Sequence, residues 1–418
     1  MLKMSKNIPT FYDAYSHPSN IDKGYEPRPS IYRDGGDFKH GMFKFTSPFY
    51  GVIFDDNNKR IETNNFEIAY SIKGNKGPVV LMLHGVPSNR KLYYPLQRRM
   101  SPFCRTICID MLGMGESSKP QMYGDKVNKT LLNKHNLVPG KGAAQGTKPW
   151  DWINDCFYIK ELMNSLFSNE KFVFIADDWG SGINSHFAAR YNNLLLAFIQ
   201  IDPIAFDGYP VSEIQAIGRA SVIKDNDQFK MAMGGIDQTM VQIFKTMVHN
   251  PDTVWNQYSL RAIKGTYIDT DYDRTGADSL TLSLKFDAIR VLTDRSAILA
   301  PDLLLPYHKT KNPKGVDFSK ITVPSLILWG SYDSMMPWAQ LYRFKYALEN
   351  SRVQIESIPD AGHFAATDQP DYVVESILNF LHRELGKDVL ADIFLGLTGI
   401  WKGDEELLIR DLRKIVYK

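Results

Sequence analysis

With 418 residues, the chain exceeds a single unit at the usual scale of about 150 residues per domain, and 44 % apolar with 23 % charged residues exclude a disordered chain, a collagen or a coiled coil. Lysine and arginine number 49 against 47 acidic residues, and a net charge of +2 excludes the long-range field that would collect nucleic acid or an anionic membrane. Three cysteines, Cys104, Cys108 and Cys156, fit neither an even disulfide framework nor a paired CxxC zinc site, so they read as thiols of a reducing compartment. No apolar core of a signal peptide opens the chain and no run of about 18 apolar residues occurs, so a cytoplasmic, non-membrane protein is expected.

Residues 1–40 carry Pro9, Pro18, Pro27 and Pro29 among tyrosines without periodicity, which predicts an extended N-terminal arm. Short β-rich runs follow at 42–54, interrupted by Pro48 and Gly51, then at 66–72, 78–84 and 105–110. The run PVVLML is continuously apolar, as a strand covered on both faces must be. Residues 121–148, rich in Lys, Asn and Gly, predict a surface insertion, after which WDWINDCFYIKELMNSL shows helical spacing. A strand at 171–176, a helix at 179–191 and a strand at 195–201 come next.

Residues 203–306 are helix-like and poor in strands, and they lie between the strand at 195–201 and another at 323–329, which predicts an inserted helical cap. A helix, a strand at 353–358 and a helix at 369–385 complete the alternation. Strands alternating with helices imply an α/β fold with a mostly parallel central sheet, helices on both faces, and a core formed by 41–202 and 307–386. Residues 387–418 predict a C-terminal helical extension that reads as a solvated charged face, although its apolar residues could also dock on another subunit of a homo-oligomer.

The segment FVFIADDWGSGI, residues 172–183, runs an apolar strand into a tight turn and then a helical pattern. A turn that exposes a nucleophile at the end of a strand needs small residues two before and two after it, because the backbone approaches itself closely there. Asp178 meets that demand with Ala176 and Gly180; Asp177 does not, since Trp179 would occupy the second small position. No GxSxG occurs, which disfavours a serine esterase. An acid at such a turn is also a common helix N-cap. Three distant segments favour the chemical reading: LMLHGVPSNR leaves a backbone N–H at Val86 after a buried strand, ILWGSYDSMMP puts Asp333 past another, and IPDAGHFAATDQP puts His363 in a small-residue loop. His84 reads as a structural loop histidine.

The motifs HGVP, DMLGMGESSKP and DDWGS resemble those of the α/β-hydrolase superfamily, in its aspartate-nucleophile branch of haloalkane dehalogenases and epoxide hydrolases, over residues 66–385. The pairing of DMLGMGESSKP with DWGS is most similar to the dehalogenases. The resemblance implies Asp178 as nucleophile, His363 as general base, Asp333 as its orienting acid, and Trp179 as a substrate contact that stabilises a leaving halide. It also implies an oxyanion held by the N–H groups of Trp179 and Val86, a small or medium apolar organic substrate with water, and no metal or other cofactor.

Departures leave alternatives open. Many dehalogenases carry a halide-binding Asn where this chain has Val86, and Trp255 is the cap tryptophan available in its place, although it also reads as a core aromatic. Asp202, at the end of the preceding strand, rivals Asp333 as the acid; the GxxDxxxP context favours Asp333. An epoxide hydrolase would use the same Asp178 and His363 with cap tyrosines as proton donors, from Tyr209, Tyr258, Tyr267 and Tyr272. Asp177 stands where relatives often have His; it either perturbs Asp178 or points away. A non-catalytic ligand receptor and a coelenterazine-type monooxygenase are further alternatives on the same scaffold.

Overall fold

Burial along the strands sorts the sheet into two halves. Strand β2 (Arg60–Lys73) alternates between exposed and buried positions, whereas β3 (Val79–Leu83), β6 (Phe172–Asp177) and β8 (Ser325–Gly330) are buried at every position. Alternation suits an antiparallel strand with one wet face, and continuous burial suits a parallel strand covered on both. The computed structural model describes residues 37–54, 59–85, 88–118, 120, 122–135, 152–206, 305–312, 315–333, 335–336 and 339–386.

The remaining strands are β1 (Lys39–Phe54), β4 (Arg105–Ile109), β5 (Met122–Val127), β7 (Leu195–Pro203) and β9 (Val353–Ile358). They form one nine-stranded sheet in the order β5-β1-β2-β4-β3-β6-β7-β8-β9. Every pair from β4 to β9 is parallel, and the pairs β5–β1, β1–β2 and β2–β4 are antiparallel. The mostly parallel sheet expected from the alternation of elements is therefore present, with an antiparallel flank.

Helices cover the sheet. They are α1 (Tyr94–Met100), α2 (Lys129–Lys134), α3 (Trp152–Phe167), α4 (Asp178–Tyr191), α5 (Ala339–Ala347), α6 (Ala365–Asp368) and α7 (Pro370–Leu385). α3 packs on α4, and α7 packs on α1, where Arg99 pairs with Asp371. α7 starts with Pro370 in its first turn and buries Val373, Val374, Ile377, Leu378 and Leu381 at helical spacing.

Three expectations need correction. The run at 42–54 is not broken by Pro48 and Gly51: β1 is one strand that shifts register between Thr46 and Gly51, so the proline, which has no N–H to give a ladder, sits at an irregularity. The arm ends earlier than residue 40, because Lys39 and His40 pair with Ile72 and Ser71, and Phe38 is buried against Tyr94. The insertion at 121–148 is in part structural: Met122–Val127 is the edge strand, and α2 follows with the Asn128 side chain accepting from the Leu131 N–H at 3.1 Å. With Gly124, Asp125 and Lys126 between its apolar residues, this edge strand has neither a continuous apolar run nor a period of two. Residues 1–36 of the arm, 136–148 of the insertion, 207–304 of the cap and the extension at 387–418 lie outside the described residues.

Candidate active site

The apolar strand β6 delivers two acids to its carboxyl end, and α4 starts at once with Asp178. Asp178 has φ +43°, a left-handed conformation that costs an L residue about 1–3 kcal/mol and persists only where its surroundings enforce it. The enforcing contacts are close. A Cβ on Gly180 would lie 2.3 Å from the Leu83 carbonyl, and one on Gly85 would lie 2.2 Å from the Asp178 Cβ. The small residue at 180 is thus required by strand β3. Gly85 is a second requirement that spacing around the turn does not announce; its only signal was its place in HGVP.

The turns after β6, β8 and β9 bring Asp178, Asp333 and His363 together. His363 Nε2 lies 3.1 Å from Asp178 Oδ2, and its Nδ1 lies 2.9 Å from Asp333 Oδ2. All three side chains are at most 4 % exposed. Asp333 is fixed in turn by the N–H groups of Met335 and Met336, which donate to Oδ1 at 2.8 and 3.0 Å. Burial opposes a charge on His363, but the Asp333 and Asp178 carboxylates outweigh it and push the imidazole well above its ordinary range. An imidazolium there donates to both acids.

Asp202, the rival acid, does not meet His363 by hydrogen bond. Its Oδ1 accepts from the Gly330 N–H at 2.5 Å and its Oδ2 from the Ala365 N–H at 3.1 Å, so it ties the end of β7 to the end of β8 and to the start of α6. Burial, then the Asp333 charge, push it well above the usual carboxylate range.

Asp177 is buried beside the nucleophile position. The Tyr93 hydroxyl donates to its Oδ1 at 2.5 Å, and Oδ2 meets no hydrogen-bond donor among the described residues. Burial and the neighbouring Asp178 charge raise it to about 7 despite Tyr93.

A second buried cluster braces the loop that follows β3. His84 donates from Nδ1 to the Gly85 carbonyl at 2.7 Å and accepts from the Met111 N–H at Nε2, 3.1 Å away, a structural role. Arg90 pairs with Asp110 and Glu116 and donates from Nε to Ser71 Oγ at 2.9 Å. The Asp110 carboxylate also accepts from the N–H groups of Arg90 and Glu116, at 2.6 and 2.8 Å. Burial opposes its ionisation, yet Arg90 and these donors hold it below the usual range. Sequence reasoning missed Arg90, because a lone arginine after HGVPSN shows no sign of burial.

Trp179 lies in the first turn of α4, and its ring is buried, edge to face with Trp152 at 6.4 Å. Val86, Trp255, Tyr209, Tyr258, Tyr267 and Tyr272 lie outside the described residues. Among the described residues no group of three or more His, Cys, Asp or Glu side chains could hold a metal ion, and no helix is long and apolar enough to cross a membrane. The three cysteines are buried free thiols.

The alpha/beta hydrolase fold profile matches residues 78–370, spanning every strand from β4 to β9 and all three members of the hydrogen-bonded row. The chain belongs to the α/β-hydrolase family. Epoxide hydrolase 3 of Xenopus tropicalis is 22 % identical to this α/β-hydrolase over 336 residues, covering 78 % of this chain and 77 % of the relative. A haloalkane dehalogenase of Mesorhizobium japonicum is 23 % identical over 173 residues, 38 % of this chain and 47 % of that one. Among solved structures, haloalkane dehalogenase DbeA from Bradyrhizobium elkani shares the fold with a TM-score of 0.54 at 14 % identity, over 83 % of this chain and 99 % of the other. The relatives thus include hydrolases of two kinds, epoxide hydrolases and haloalkane dehalogenases.

Proposed function

We propose that this α/β-hydrolase opens a small or medium apolar epoxide through a covalent ester on Asp178. The observation that carries the reading is the row Asp178–His363–Asp333, with heavy-atom separations of 3.1 and 2.9 Å at the carboxyl edge of the parallel sheet. A carboxylate suits attack on an sp3 carbon: one oxygen forms the new C–O bond as the epoxide C–O bond breaks, and the resulting ester carbonyl is open to water. His363 then takes the proton of the attacking water at Nε2, and Asp333 holds the Nδ1–H tautomer. The water oxygen joins the Asp178 carboxyl carbon, the acyl bond between that carbon and the alkoxy oxygen breaks, and the diol leaves with the proton that His363 took from the water.

The charges around His363 supply the timing. While Asp178 is ionised, two carboxylates hold the imidazolium. Ester formation removes one of those charges, so the imidazolium gives up its proton, to the tyrosinate left by alkoxide protonation or, where a halide leaves, to water, and the neutral imidazole becomes the base that the second step needs. Trp179, at the N-terminus of α4, and Val86 are the proposed backbone donors to the oxyanion. The alkoxide proton would come from the cap tyrosines named above. The epoxide is preferred because similarity to an epoxide hydrolase runs over 78 % of the chain, against 38 % for a dehalogenase.

Cleavage of a carbon–halogen bond is the second reading, favoured by DMLGMGESSKP together with DWGS. It uses the same Asp178 and His363. Intact-protein mass spectrometry of His363→Phe with styrene oxide and, separately, with 1,2-dibromoethane tests both, because removing the base traps the ester. An adduct from the epoxide supports the first reading, and an adduct from the bromide alone replaces it with the second. No adduct from either, in folded protein, overturns the aspartyl-ester route.

A further inference from the structure

We propose that Asp177, held by Tyr93 behind the nucleophile, divides the two half-reactions: its negative charge speeds ester formation at Asp178 and slows hydrolysis of that ester. The inference rests on the ester route above. It starts from a buried acid for which that route has no use.

Asp177 is 2 % exposed, carries one donor on Oδ1 and none among the described residues on Oδ2, and adjoins Asp178 in the chain. No cation pairs with it among the described residues. The groups that act on it come from three places: Tyr93 in the turn before α1, Asp178 at the start of α4, and His363 in the turn after β9. The flanking strands bring uncharged neighbours, Ile201 on β7 and Leu83 on β3, whose carbonyl lies 3.4 Å from the Tyr93 hydroxyl. The acids and bases just beyond them, Asp202 and His84, are engaged by backbone groups.

Two like charges on adjacent side chains in a dry site repel strongly. Ester formation turns the Asp178 carboxylate into a neutral ester while the electron pair of the broken bond departs with the leaving oxygen or halide, so it relieves that repulsion. Hydrolysis rebuilds negative charge on the same carboxyl as the oxyanion forms, and restores it. The imidazolium that forms on His363 in that step sits on the Asp178 carboxyl rather than on Asp177 and offsets part of the penalty, while the oxyanion forms on the residue that adjoins Asp177 in the chain. The sign of the effect is therefore opposite in the two steps. With Asp177 titrating near neutrality, the balance between the steps changes with pH.

Rapid-quench mass spectrometry on Asp177→Asn, with styrene oxide or, where that forms no adduct, 1,2-dibromoethane, reads both steps. Ester formation is timed in the His363→Phe background, and the fraction of enzyme held as ester at steady state is measured with His363 intact. At about pH 8.5 the variant is expected to form ester roughly tenfold more slowly, about 1.4 kcal/mol, and to hold a smaller fraction as ester; at about pH 5.5 it matches the parent. Unchanged values at about pH 8.5, or both steps slowed together as a structural defect would do, overturn the inference. Tyr93→Phe is the second variant: removing the donor moves the pH at which the ester fraction changes upward, and no movement also overturns it. Failure to form any adduct with Asp177 intact counts against the ester route itself, and is seen before Asp177 is altered.

Discussion

Two charge clusters are buried at the same edge of the sheet, and they are built on opposite principles. Around Arg90, one guanidinium meets Asp110 and Glu116, and both Asp110 oxygens also receive backbone N–H groups. Around His363, a single imidazole lies among Asp178 and Asp333, with Asp202 and Asp177 close behind. The first cluster is matched donor for acceptor at the Asp110 oxygens, and Asp110 stays below the usual carboxylate range. The second is oversupplied with acid, and Asp177, Asp202 and His363 are all displaced upward. A matched cluster braces a loop, whereas an unmatched one keeps groups ready to exchange protons or to react.

That contrast is broken most directly at its reactive end. Asp178→Asn, a residue that tolerates the positive φ, is expected to lower turnover of styrene oxide or 1,2-dibromoethane by about 10⁴-fold or more with an unchanged circular dichroism spectrum. Substantial residual turnover would mean that the oversupplied cluster is not the reacting one. Asp333→Asn should cost a comparable factor, about 10⁴ in kcat, by leaving His363 without the acceptor that fixes its tautomer. Asp202→Asn should leave kcat within about tenfold, since that side chain serves backbone N–H groups; a larger loss at 202 than at 333 would exchange their roles.

The matched cluster should answer in stability. Asp110→Ala leaves Arg90 buried without its main partner, and a loss of about 3–5 kcal/mol in unfolding free energy is expected from denaturant titration. A change below about 1 kcal/mol would show that Glu116 alone satisfies the guanidinium.

The smallest effect sharpens the comparison through pH. Asp177 is raised to about 7 in the folded protein from 3.8, so the folded state holds the extra proton between those values and stability falls as pH rises through that window. Asp177→Asn removes that loss. Its melting temperature should exceed the parent's at about pH 8, by roughly 1 °C for each kcal/mol recovered in a chain of this length, and match it near pH 4. An equal difference at both pH values would remove the titration at 177 as the cause.

Much of this arrangement is legible in the one-dimensional pattern. Continuous apolar runs marked β3, β6 and β8 because strands covered on both faces have no choice of residue. Ala176 and Gly180 marked Asp178, because a close backbone approach admits only small side chains. Strand β5 was not legible, since its stabilisation is a ladder of backbone hydrogen bonds to β1 that imposes neither a continuous apolar run nor a period of two. Arg90 was illegible for a related reason: its burial depends on Asp110 and Glu116, which lie 20 and 26 residues away.

The sequence by itself determined the α/β alternation, the turn that presents Asp178, and the presence of Asp333, Asp202 and His363 at strand ends, because each follows from local periodicity or from the size of a neighbour. Only the tertiary structure decided which acid faces His363. Asp333 and Asp202 both end neighbouring strands, and what separates them is where backbone N–H groups already point: those of Gly330 and Ala365 take both oxygens of Asp202, while those of Met335 and Met336 hold one oxygen of Asp333 and leave the other for the imidazole. The GxxDxxxP context already leaned to Asp333, but the choice is made by the packing of β7, β8 and the loop after β9.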